Sequence, residues 1–190
     1  MILPFRTKFK DGKKTNFPFK IWKGLQLGIG DYQVGFKVRF EWLEKCFENG
    51  CISKQNWNEY FGWMPSKIHT IRADKKNRWK AGNKIHFVIN NRTKDYFQFA
   101  PVLECRSVQE IEIIWGKPEN PLFDVRVYID QKLFYQRIGG VSSAFRRLQM
   151  EELAQLDGFD SVEDFFKWFS TDFKGKIIHW TNFRYEGRGH

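Results

Sequence analysis

Cysteine is scarce in this chain, with three in 190 residues: Cys46, Cys51 and Cys105. An odd count excludes a closed disulfide framework, and CxxxxC without a second pair is not a zinc-site spacing. Reduced thiols in a cytoplasmic protein are the expectation. Long apolar runs are also missing. No stretch approaches the ~18 apolar residues of a membrane span, so no membrane partner is expected. Residues 1–8 hold no apolar core of signal-peptide length. Internal repeats and low-complexity segments are absent. Acids are in deficit, 22 against 32 Lys and Arg, for a net charge of +10. That balance favours a phosphate-bearing partner, because Lys and Arg displace the counterions of a phosphodiester chain; the alternative is a charge that serves solubility alone.

What the chain has in excess is aromatic surface: twenty Phe, eight Trp and six Tyr. A single domain spanning 1–190 of this size can close a core without covalent staples. The positive charge is not evenly spread. Residues 1–24 carry seven basic residues and one acid, and residues 67–94 carry nine against Asp74 alone. Acids gather instead in 104–130 and 151–172.

Periodicity and turn chemistry give a mixed α and β pattern. Phe17 to Lys23 reads as a short helix, capped by Asn16 and stopped by Gly24. Tyr32, Val34, Phe36, Val38 and Phe40 alternate with polar residues and glycines, which suggests a strand or hairpin in 25–39. A helical hairpin follows over 40–62. Strands are expected at His69–Arg72, Lys84–Asn90, a bent Pro101–Trp115, and Val125–Ile129 continuing after Asp130-Gln131 into Leu133–Tyr135. Helices at Ser143–Leu156 and Ser161–Phe169 precede a closing strand at Lys176–Phe183.

The element Lys67-x-x-Thr70-x-Arg72, then Trp79-x-x-Gly82-x-x-Ile85, then Leu156-Asp157-Gly158-Phe159-x-Ser161-x-Glu163-x-Phe165, and finally Ile178-His179-Trp180-Thr181 resembles the ASCH domains of the PUA-like superfamily. Pro65-Ser66 stands where that family usually has a Gly before the Lys. The likeness runs over about 65–183 and begins earlier with Phe17–Gly24 as the family's first helix, which makes 25–64 an insertion. It implies an α+β fold: a mostly antiparallel PUA-like β-barrel with flanking helices and an α-helical, aromatic insertion. It also implies a cleft for RNA, a nucleotide or a modified nucleoside.

Some members resemble amidohydrolases that deacylate N4-acylcytidine-type nucleosides with a Lys, a Thr three residues on, and a carboxylate. Lys67, Thr70 and Asp157 are the matching positions, although the family's carboxylate is commonly Glu. There Lys67 would take part in the attack, Thr70 would position the acyl oxygen, and Asp157 would act as general base or acid. The alternatives are a solvated Lys67 that binds phosphate and an Asp157 that merely ends a helix.

Ligand contacts are expected from His69, Arg72, Arg78, Trp79, Lys80 and Lys84, with Arg offering bidentate phosphate pairing. Trp79 is either a stacking platform or a residue packed on the barrel wall. His69 and His86, on strands expected to be neighbours, lack the third ligand a metal site needs. No cofactor is implied. The insertion, with Trp42, Trp57 and Trp63, is either a face for a protein partner or part of the core.

Overall fold

A computed structural model describes residues 1–26, 36–60, 62, 64–117 and 120–186. Among them the chain order is β1 (Ile2–Pro4), α1 (Phe17–Gln26), α2 (Phe36–Glu48), α3 (Lys54–Tyr60), β2 (His69–Arg72), β3 (Lys84–Ile89), β4 (Phe97–Gln98) and β5 (Leu103–Glu104). Then come β6 (Ser107–Lys117), β7 (Asn120–Ile129), β8 (Lys132–Arg137), α4 (Ala144–Leu156), α5 (Val162–Trp168) and β9 (Phe173–His179). The class is α+β, with strand pairing antiparallel except for β1 beside β3.

The strands form two sheets rather than the expected closed barrel. One has the order β1-β3-β4 with β5 also on β3, and the other runs β2-β9-β6-β7-β8. The edge of β2 explains why no strand closes the gap. The end of α4 covers it: the Ile71 N–H donates to Asp157 Oδ1 at 3.2 Å, and just before the strand the Ile68 N–H donates to the Leu156 carbonyl at 3.0 Å. An edge already paired in this way offers no ladder to β3. His69 and His86 therefore lie in different sheets, not on neighbouring strands.

Alternation in the larger sheet sends Ile111 and Ile113 of β6, Val125, Val127 and Ile129 of β7, and Ile71 and Ile177 to one face. There they pack with Met150, Leu153, Phe165 and Phe166 of α4 and α5. Ile178 and Trp180 belong to a second cluster, built with Leu3, Phe5, Trp22, Phe87 and Phe99 around α1 and the small sheet. The hairpin between β7 and β8 turns on Asp130 and Gln131, both at positive φ (47° and 65°), which matches the twist of the strands.

Two expectations for the first third of the chain change. Gly24 does not stop α1, which continues to Gln26. Its missing side chain serves packing instead: a Cβ there would lie 3.0 Å from the Lys67 carbonyl oxygen and 3.1 Å from Ile68. Where the hairpin expected in 25–39 falls on described residues, 36–39 belong to α2, and 27–35 lie outside the described residues. Leu43 and Cys46 are buried three residues apart, and their helical period extends back through the alternating run, leaving Val38 and Phe40 exposed. Trp42 and Trp57 pack against the α1 cluster, as core residues do, and Trp63 is outside the described residues.

Candidate nucleic-acid interface

Helix α4 ends in a Schellman turn. The Gly158 N–H donates to the Gln155 carbonyl at 2.8 Å, and the Phe159 N–H donates to the Ala154 carbonyl at 2.9 Å. Gly158 sits at φ +90°, and a Cβ would be 3.0 Å from Lys67 Cδ and 3.1 Å from the Phe17 ring. Glycine is required here twice over, by the left-handed backbone and by the side chain packed against it.

Two buried lysines hold this turn. Lys67 Nζ donates to Asp157 Oδ1 at 2.7 Å and also to the Asp157 carbonyl. Lys20 Nζ donates to the Gly158 carbonyl and to Asp160 Oδ1, each at 2.7 Å. Cations on the last carbonyls of a helix also complement its dipole. Lys67 is 1% exposed. Burial lowers its amine to about 8, against the opposing pull of Asp157. Burial alone would raise the Asp157 carboxyl, but Lys67 and His69 hold it below the usual carboxylate range. At neutral pH the pair is ionic.

His69 Nδ1 lies 3.6 Å from the same Asp157 oxygen, and its Nε2 meets the Tyr185 hydroxyl at 2.8 Å. The His179 ring sits 5.3 Å from that of His69 and is fully buried, with neither nitrogen hydrogen-bonded. Burial first, then the nearby His69 and Arg184, push His179 down to about 2. Thr70 points elsewhere. In the β2–β9 register His69 stands opposite His179 and Thr70 opposite Ile178, so Thr70 shares a face with Arg72, not with His69. Lys67, His69 and Asp157 therefore meet, while Thr70 turns to the other side of the strand.

On that other side lies an open hollow of about 700 Å³. Its charged lining residues are Arg6, Lys8, Arg72 and Arg78, with no acid among them. Among the described residues none of the four makes an ion pair. Arg72 donates from Nη2 to the Pro4 carbonyl at 2.8 Å and lies 5.2 Å over the Phe5 ring, and Arg6 lies 5.5 Å over Trp168. Asp74, the one acid of the basic stretch, accepts the Arg78 and Trp79 N–H groups at 3.0 and 2.9 Å and so shapes the loop that presents Arg78.

Phe5 and Phe17 line the hollow and separate it from Lys67, whose Nζ is 4.8 Å from the Phe17 ring centre and 5.9 Å from that of Phe5. The amine thus lies beneath the floor rather than at the rim. Trp79 reaches the wall but is only 6% exposed, a packed residue rather than an open platform. Trp168, half-buried, presents the hollow's most accessible ring.

Lys80 is exposed and outside the hollow. Lys84 pairs with Glu104 at 3.1 Å across the β3–β5 ladder, also outside it. His86 Nδ1 faces Gln98 Oε1 at 3.3 Å. Among the described residues, no three or more His, Cys, Asp or Glu gather where a metal ion could sit. No described helix is long and apolar enough to cross a membrane.

Arg6 and Lys8 went unnoticed as site residues in the sequence. The run Phe5-Arg6-Thr7-Lys8-Phe9, aromatic and basic in alternation, was the available signal. Tyr185 carried none, because only the fold brings it back over β2.

Set against family models, curated proteins and solved structures, the chain matches none. The ASCH resemblance therefore rests on its motif residues alone.

Proposed function

We propose that this chain is an ASCH-type, PUA-like binder of RNA or of a modified nucleoside within it, acting in the cytoplasm. The observation that carries this reading is the hollow: four cations with no acidic ion-pair partner among the described residues, around a concavity with Phe5, Phe17 and Trp168 in its lining. Its volume of about 700 Å³ falls in the range of about 300–1,000 Å³ typical of small-ligand sites. Unpaired cations gathered in a concavity raise the local concentration of an anion, and an aromatic edge beside them suits a base. Fluorescence anisotropy with a labelled single-stranded octaribonucleotide tests it. The expected log Kd rises with log salt with a slope of about 3, four phosphate contacts at about 0.7 each. An affinity that is flat across salt overturns the reading.

A second reading, deacylation of an N4-acylcytidine, draws support from the Lys67–Asp157 pair and the amine lowered to about 8. It requires Phe5 and Phe17 to part, Lys67 to release Asp157, and Thr70 to serve from the far side of β2. The ion pair holding the α4 turn is a sufficient reason for both residues, which is why the binding function is preferred. Incubation with N4-acetylcytidine decides: turnover by the wild type that disappears in Lys67→Met would restore the enzyme.

A further inference from the structure

A second hollow, of about 270 Å³, adjoins the first and shares Thr7, Lys8 and Asn90 with it. One wall is the 49–53 loop between α2 and α3, inside the insertion, and the other is the 7–15 hairpin. Its charged lining residues are Lys8 and Lys14, with no acid. These two stand directly opposite each other on the hairpin's bridge. Like charges opposed across a strand pair repel. Among the described residues neither lysine makes an ion pair, whereas Lys13 beside them pairs with Asp160 at 2.9 Å. No acid separates the two exposed amines, at a place where an anion could bridge both.

We infer that the two hollows form one track for a single-stranded oligonucleotide, with the insertion supplying the wall of the second subsite and the Lys8–Lys14 pair holding the phosphate between the two. This rests on the proposed binding function and extends it from a nucleotide to a strand. An unpaired strand can set successive units into separate concavities joined by a basic saddle. A duplex keeps its bases stacked inside a convex rod and cannot.

The test is anisotropy with labelled octauridine and diuridine on wild type, Lys14→Glu, Arg78→Glu and Lys84→Glu. Lys14 and Lys84 are exposed, so these variants should fold; Lys84→Glu opposes Glu104 across the β3–β5 ladder and should lower its midpoint slightly, and thermal unfolding checks that each variant is folded at the assay temperature. The expected result is that Lys14→Glu lowers the octamer-to-dimer affinity ratio about tenfold and reduces the octamer's salt slope by about 0.7, while Lys84→Glu keeps the ratio within about twofold. A ratio unchanged in Lys14→Glu, while Arg78→Glu still weakens diuridine, overturns the track and leaves the first hollow standing. Absence of octamer binding by the wild type overturns both. Displacement of octauridine by an RNA duplex as readily as by unlabelled single strand overturns the single-strand assignment.

Discussion

The sealed cluster under β2 and the open hollow beside it are built from neighbouring residues of one basic motif, yet they treat charge in opposite ways. Beneath the floor every cation is matched: Lys67 with Asp157, Lys20 with Asp160 and a helix-end carbonyl. Above it, among the described residues, the exposed Arg6, Lys8 and Arg78 make no ion pair, and Arg72, mostly buried over the Phe5 ring, donates to the Pro4 carbonyl instead. The two lysines taken wholly out of water are paired, because an isolated buried ammonium is prohibitively costly. Charge left in water needs no partner and stays free to take one from outside. Under the proposed function, the buried side holds the fold and the open side takes the ligand.

The comparison can be broken most sharply at Asp157. Asp157→Ala strands a buried ammonium, so it should cost about 3–5 kcal/mol of stability, seen as a fall in the urea midpoint with an unchanged slope. Survival of the fold with a loss below about 1 kcal/mol would mean that the pair is not structural, and would reopen the catalytic reading.

Acid should strike the same buried region next. His179 is held at about 2 in the fold, against about 6.5 unfolded, so the unfolded chain takes the proton first. Its contribution is intact above the unfolded value and falls as pH drops below it, by about 2 kcal/mol at pH 5. Urea titrations at pH 7.5 and 5 measure this, and His179→Phe should flatten the dependence. A His179→Phe variant as acid-sensitive as the wild type would move the cause to His69, also lowered by burial.

On the open side the expected changes are in binding and not in stability. Arg78→Glu should weaken octanucleotide binding about tenfold and cut the salt slope by about 0.7, with the thermal midpoint unchanged. The smallest effect belongs to Lys84→Ala. Its partner Glu104 is exposed like itself, so stability should stay within about 0.5 kcal/mol and RNA affinity should not move. An affinity loss there as large as at Arg78 would dissolve the distinction between the hollow and the general positive surface.

Much of the element pattern could be read before the structure. Ser161 was identifiable as a cap from the Ser-x-x-Asp pattern, and it accepts the Asp164 N–H. The strand at His69–Arg72 and the Asp130-Gln131 turn were equally plain, because cap and turn chemistry is local. β1 was not, since its order comes from a parallel pairing with β3 more than eighty positions away. The closed barrel was also misjudged, because nothing in β2 reveals that Asp157 and Leu156 will occupy its free edge. For the candidate site, Arg72 and Arg78 were nominated by charge clustering, and Lys67 and Asp157 by the ASCH resemblance. Which of them faces solvent was not legible, because strand alternation is fixed only once register and covering helices are known.

Composition and local chemistry alone thus dictated a basic, aromatic-cored α+β chain whose Lys and Arg cluster in 1–24 and 67–94. Long-range folding then sorted those residues, drawing Lys67 inward to Asp157 and leaving Arg6, Lys8, Arg72 and Arg78 around a concavity. The reason is dielectric: a charge's role depends on whether water or protein surrounds it, and that surrounding comes from contacts far apart along the chain.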